Sequence, residues 1–151
     1  MNRRIWLGML AFMISLFLGP VLWLSLGPDR ETKTTQQFTA DRAELEAITL
    51  QVLEQGSTDG ITPPDGWRCV ELHTRNRTTV EFEKGGAGMG SETVDWGVHY
   101  VPDDSVVDFQ GRQWDYWKAQ GEGRLYYEPE GDNTCYVRKL DECWYYYEMK
   151  F

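Results

Sequence analysis

The sequence predicts an α+β protein: an N-terminal transmembrane helix, then one amphipathic helix packed on a mostly antiparallel β-meander of seven or eight strands. Three observations predict it. An uncharged apolar stretch runs from Ile5 to Leu26, apolar residues recur at helical spacing after Asp41, and beyond Gly66 the pattern switches to a period of two. The 151 residues leave room for one domain after the apolar stretch, so the chain divides into a flank (1–4), a span (5–26), a linker (27–40) and a domain (41–151).

The apolar stretch spans ~33 Å as a helix, enough for a hydrocarbon core of about 30 Å. Trp6 and Trp23 lie near its ends, where indole prefers the headgroup boundary. Gly19-Pro20 is a kink that membrane spans tolerate, and Gly27-Pro28 ends the helix. A cleaved signal peptide is the competing reading, with Asn2-Arg3-Arg4 as its charged region and Ser25 and Gly27 as small residues near a cleavage point. The run exceeds the roughly 7–15 apolar residues of a signal peptide, and Pro28 opposes cleavage. A retained signal anchor is therefore expected. Arg3 and Arg4 outweigh the diluted Arg30 and Lys33, which puts the N-terminus inside and the domain outside the cytoplasm. The expected location is the cell membrane, single-pass, with residues 5–26 in the lipid bilayer.

All 24 acidic residues and 13 of the 15 basic ones follow the span, giving that part a net charge of −11. Such a surface repels phosphate backbones, so nucleic-acid binding is excluded. Residues 29–37 are polar and Thr/Gln-rich and read as juxtamembrane linker. Asp41 and Glu44 form a capping box, Leu45, Ile48, Val52 and Leu53 a buried stripe, and Gly56 a stop, so a helix is expected over Asp41–Gln55.

Strands follow. Val70 and Leu72 alternate with Cys69, Glu71 and His73; Val80 and Phe82 with Glu81 and Glu83; Val94, Trp96, Val98 and Tyr100 with Asp95 and His99. Further strands are expected near Ser105–Phe109, Arg112–Ala119, Arg124–Glu128, Thr134–Arg138 and Cys143–Phe151. The run from Gly85 to Gly90 reads as a hairpin loop, because a strand follows it and not the helix N-terminus that a phosphate loop needs.

A turn at Arg75-Asn76-Arg77 sets Glu71 opposite Glu81 and Cys69 opposite Glu83, with His73, Asp95 and His99 on the same face. Carboxylates and imidazoles so placed hold a cation or trade protons, but the simpler reading is the solvated side of a sheet. Cys69 and His73 stand about 13 Å apart along a strand, too far to share an ion. No HExxH, GxSxG or finger spacing occurs, so neither a metal, a cofactor nor a catalytic residue is assigned.

Cys135 and Cys143 face each other if a hairpin turns around Lys139, and outside the cytoplasm such a pair is expected to form a disulfide. In the last segment, Tyr145, Tyr147, Met149 and Phe151 take one face and Trp144 and Tyr146 the other. Trp144, Tyr146, Trp114 and Trp117 are the candidate binding residues, since exposed Trp and Tyr beside charged rims suit protein or glycan partners. The order of parts is similar to that of pilin-like proteins, but their peptidase motif and the glutamate inside the apolar run are both absent. Two functions lead, a membrane-tethered, non-enzymatic binding module for an envelope protein or glycan, or an envelope-polymer hydrolase with paired carboxylates among Glu71, Glu81, Glu83 and Asp95; a redox role for Cys69 is the third, with no CxxC to support it.

Overall fold

A computed structural model describes residues 29–89, 92–108, 110–113, 115–128 and 131–151. The expected span Ile5–Leu26 and Trp114 lie outside them. Among the described residues no helix is long and apolar enough to cross a membrane.

Helix α1 runs over Arg30–Gln55. Its N-cap is Asp29, whose carboxylate accepts from the Thr32 amide at 2.7 Å, and Glu31 in the first turn suits the helix dipole. Gly56 closes it in the left-handed region (φ 69°), donating to Val52 O at 2.8 Å. The helix thus begins well before the expected Asp41, and residues 30–40 are not linker. Thr34 and Phe38, one turn apart and both buried, extend the stripe of Leu45, Thr49 and Val52. Asp41, expected to cap, accepts instead from Trp67 Nε1 at 2.9 Å.

Among the described residues seven antiparallel strands follow: β1 (Cys69–His73), β2 (Thr79–Met89), β3 (Glu92–Tyr100), β4 (Trp117–Gln120), β5 (Gly123–Tyr127), β6 (Thr134–Asp141) and β7 (Trp144–Lys150). Their order is β1-β2-β3-β7-β6-β5-β4, so two meanders meet along β3 and β7 rather than forming one. Residues Gly85–Met89, expected in a loop, belong to β2 beyond a bulge between Glu83 and Gly85. Gly85 is needed there because the Trp96 ring lies on it: a Cβ would meet Trp96 Cζ2 at 2.7 Å.

Among the described residues no strand forms at 105–108, and of the expected Arg112–Ala119 the described part that is extended is Trp117–Ala119, in β4. Side chains satisfy the backbone here instead of a ladder. Asp103 Oδ1 accepts from Ser105 N at 3.2 Å, and Asp108 Oδ1 from Gln110 N at 3.0 Å and Arg112 N at 2.7 Å.

The sheet is buried on both sides. Under α1, Phe38, Leu45, Val52, Trp67, Val70, Val80, Phe82, Val98 and Trp144 form one core. On the opposite face Val101 and Val107, from the β3–β4 connection, pack on Tyr126, Cys135, Val137, Tyr145, Tyr147 and Met149. Asp104 fastens that connection. Its carboxylate accepts from Cys143 N and from the Tyr145 hydroxyl, both at 2.8 Å, and pairs with Lys139. Lys139, Tyr145 and the Cys143 amide together hold the Asp104 carboxyl down at about 2.

Candidate functional site

The β1–β2 register is the one that a turn at 75–77 dictates: Cys69 opposite Glu83, Glu71 opposite Glu81, His73 opposite Thr79. Glu81 in turn neighbours His99 of β3. Strand alternation then gathers Glu71, His73, Glu81 and His99 on the face away from α1. His73 Nε2 lies 2.9 Å from Glu81 Oε2 and 3.7 Å from Glu71 Oε2. The Tyr147 hydroxyl, arriving from β7, donates to Glu81 Oε1.

This face is not simply the solvated side of a sheet. Glu81 is buried and His99 fully so, because the β3–β4 connection covers the neighbouring strands. Burial raises the Glu81 carboxyl above its usual range, although His73 and Tyr147 pull it back. The Glu81 hydrogen bond raises His73 in turn. His99, stacked near Tyr145 and Tyr147 with centroids 5.6 and 5.7 Å away, is pushed down to about 3 by burial and is neutral. Neither of its ring nitrogens has a hydrogen-bond partner. Two carboxylates and an imidazole so arranged hold a proton between them or chelate a cation.

The other carboxylates on this face are engaged differently. Glu83 pairs with Arg68, and its second oxygen lies 3.2 Å from the Cys69 thiol. Burial and the Glu83 hydrogen bond push that thiol up to about 12, which removes the thiolate that redox or nucleophilic work requires. Asp95 sits beyond the bulge, opposite Gly86, raised by partial burial and the Glu83 charge.

In the structure no disulfide joins Cys135 to Cys143, contrary to expectation. The β6–β7 turn falls at Glu142-Cys143, with Asp141 opposite Trp144, instead of around Lys139. Cys135 faces Met149 at the far end of the hairpin, roughly 20 Å of strand from the turn, beyond any disulfide. Denaturing, non-reducing thiol labelling is therefore expected to modify three cysteines. In the native protein, mass spectrometry should find the partly exposed Cys143 labelled before buried Cys135 and thiol-protonated Cys69. A species with only one labelled thiol would reinstate the bridge.

The binding aromatics separate. Trp144 (0% exposed) and Tyr146 (1%) are core, contrary to expectation, because the α1 side chains pack over Trp144 and the Tyr136 ring lies against Tyr146. Trp117, 48% exposed on the edge strand β4, and its neighbour Tyr116 remain at the surface. Tyr146 nonetheless floors an open pocket of about 330 Å³ with Tyr136, walled by Glu31, Gln120, Glu148 and Lys150. Glu31 and Tyr136 carry no sequence signal for this role, since Glu31 belongs to the unexpected first turns of α1 and Tyr136 to a strand read only by its alternation. Tyr147 was legible as core but not as the partner of Glu81, two strands away in the sheet order. Comparison with protein families, curated proteins and solved structures gives no match.

Proposed function

We propose that the protein is a membrane-tethered, non-enzymatic binding module facing the cell exterior. An envelope protein or glycan seats a polar group in the tyrosine-floored pocket. The observation that supports this reading is the place of the pocket, against Glu31 in the first turn of α1. Those are the next residues in the chain after the apolar span. With α1 starting at Arg30, only Gly27, Pro28 and Asp29 separate the span from a helix packed into the domain. The pocket then lies a few residues of chain from the bilayer surface. Its mixture of Tyr rings, carboxylates, an amide and a Lys suits hydrogen-bonded polar groups rather than an apolar ligand.

The hydrolase reading has one favourable observation, the raised carboxyl of Glu81 opposite Glu71. Against it, Glu81 already meets His73 and Tyr147 through its two oxygens and has little exposed surface for a polymer to reach.

The test has two arms. Carbonate extraction should leave the chain in the membrane, and protease added outside should digest the domain. A photo-crosslinking residue at Gln120, on the pocket wall, should capture a partner in native membranes, while one at exposed Asp59 should not. Release of a mature form starting at Pro28, or equal capture at both positions, would sink the reading.

A further inference from the structure

We propose that Glu71, His73 and Glu81 bind one divalent transition-metal cation on the sheet face opposite the pocket. The donor atoms, one from each residue, all lie within 4.8 Å of one another. Donors about 2 Å from a tetrahedral ion stand roughly 3.4 Å apart. The two distances from His73 Nε2, 2.9 Å to Glu81 and 3.7 Å to Glu71, bracket that spacing. Glu71, with 57% of its side chain exposed, is free to swing and close the third side.

An imidazole with two carboxylates suits Zn²⁺ or a similar first-row ion. Ca²⁺ takes six to eight oxygens and Mg²⁺ a near-ideal octahedron, and three donors including a nitrogen serve both poorly.

The surroundings of the three donors point the same way. The Tyr147 hydroxyl fixes the Glu81 carboxylate through its other oxygen, as supporting hydrogen bonds do around metal ligands. His99 is the independent observation. It is fully buried, has neither ring nitrogen bonded, and is the cross-strand neighbour of Glu81 on this face. A buried imidazole with no partner is costly, and cross-strand neighbours stand about 5 Å apart at Cβ. A water completing the coordination of the ion supplies the partner that His99 lacks. Exposure falls from Glu71 through His73 (19%) to Glu81 (8%), which gives the ion a way in from solvent and a buried end to its seat.

The test is calorimetric titration of the metal-free full chain in detergent. Zn²⁺ should bind with one equivalent, and Ca²⁺ at equal concentration should give no saturable heat. The double variant Glu71→Gln/His73→Gln, checked for folding by circular dichroism, should bind Zn²⁺ at least tenfold more weakly. Should that variant unfold, Glu71→Gln alone, at a mostly exposed side chain, should show the same weakening. Cys69→Ser/Cys143→Ser should bind as wild type does. Absence of saturable Zn²⁺ binding, binding unaltered in the Glu71 variants, or binding lost only with the thiols would each overturn the proposal.

Discussion

Trp144→Ala is expected to destabilise the domain by about 3–5 kcal/mol, the usual cost of deleting a fully buried large aromatic. The indole is wholly enclosed. It meets Phe38 at 5.2 Å, Tyr100 at 5.3 Å and Phe82 at 5.8 Å between ring centroids, and the Arg42 guanidinium lies 5.1 Å from its own. Those partners come from α1, β2 and β3, so the ring is where helix and sheet join. A domain of this size has about 5–15 kcal/mol in total, so the loss is a large share of it. Trp117→Ala, on the exposed edge strand, should cost about 0.5 kcal/mol or less. Urea melts of the two variants decide the matter. A Trp144 variant as stable as the Trp117 variant would mean that the helix does not seal this face.

That contrast marks where the sequence stops being legible. The alternation of Val70, Leu72, Val80, Phe82 and Val98 identified the face under α1, because the edge strand β1 keeps a partly wet side and the second face of β2 carries polar Thr79 and Glu81 even though it is buried. Strand β7 is central and covered on both sides, so Trp144 through Tyr147 form a continuous apolar run in which period two has no meaning. What covers its second face is a connection that reads as a strand. Val106 and Val107 look like strand residues, but the carboxylates of Asp103 and Asp108 satisfy the backbone and leave the valines to pack.

The start of α1 was hidden for a related reason. Its early stripe consists of Thr34 and Phe38, and a buried threonine announces nothing until its neighbours are known. The hairpin at Glu142-Cys143 was hidden because Cys143 takes φ 63° without being glycine, a position held by the Asp104 carboxylate from a distant segment. The candidate metal seat was half legible. The β1–β2 register placed Glu71 opposite Glu81 with His73 on their face, but the burial of Glu81 and the reach of Tyr147 depend on β3 and β7.

Gly97→Ala is expected to cost about 4 kcal/mol, a loss out of proportion to one methyl group, combining overpacking with a stranded buried carboxyl. Gly97 stands opposite Glu83 on one side and Tyr147 on the other. To reach Glu81 on β2, the Tyr147 side chain must cross β3, and it does so beside Gly97. A Cβ there would lie 2.1 Å from Phe82 O, a main-chain atom of the neighbouring strand with little room to retreat, and 3.0 Å from Tyr147 Oη. The strand must shift and the hydroxyl must leave Glu81, whose buried oxygen then lacks its donor. A double-mutant cycle with Tyr147→Phe separates the two contributions. Alone, Tyr147→Phe should cost about 1–3 kcal/mol, since it removes only the donor. In the Gly97→Ala background it should cost almost nothing, because the hydrogen bond is already gone. Equal costs of Tyr147→Phe in both backgrounds would show that the ring does not depend on the gap at Gly97 to reach Glu81. The added methyl would then act on the backbone alone.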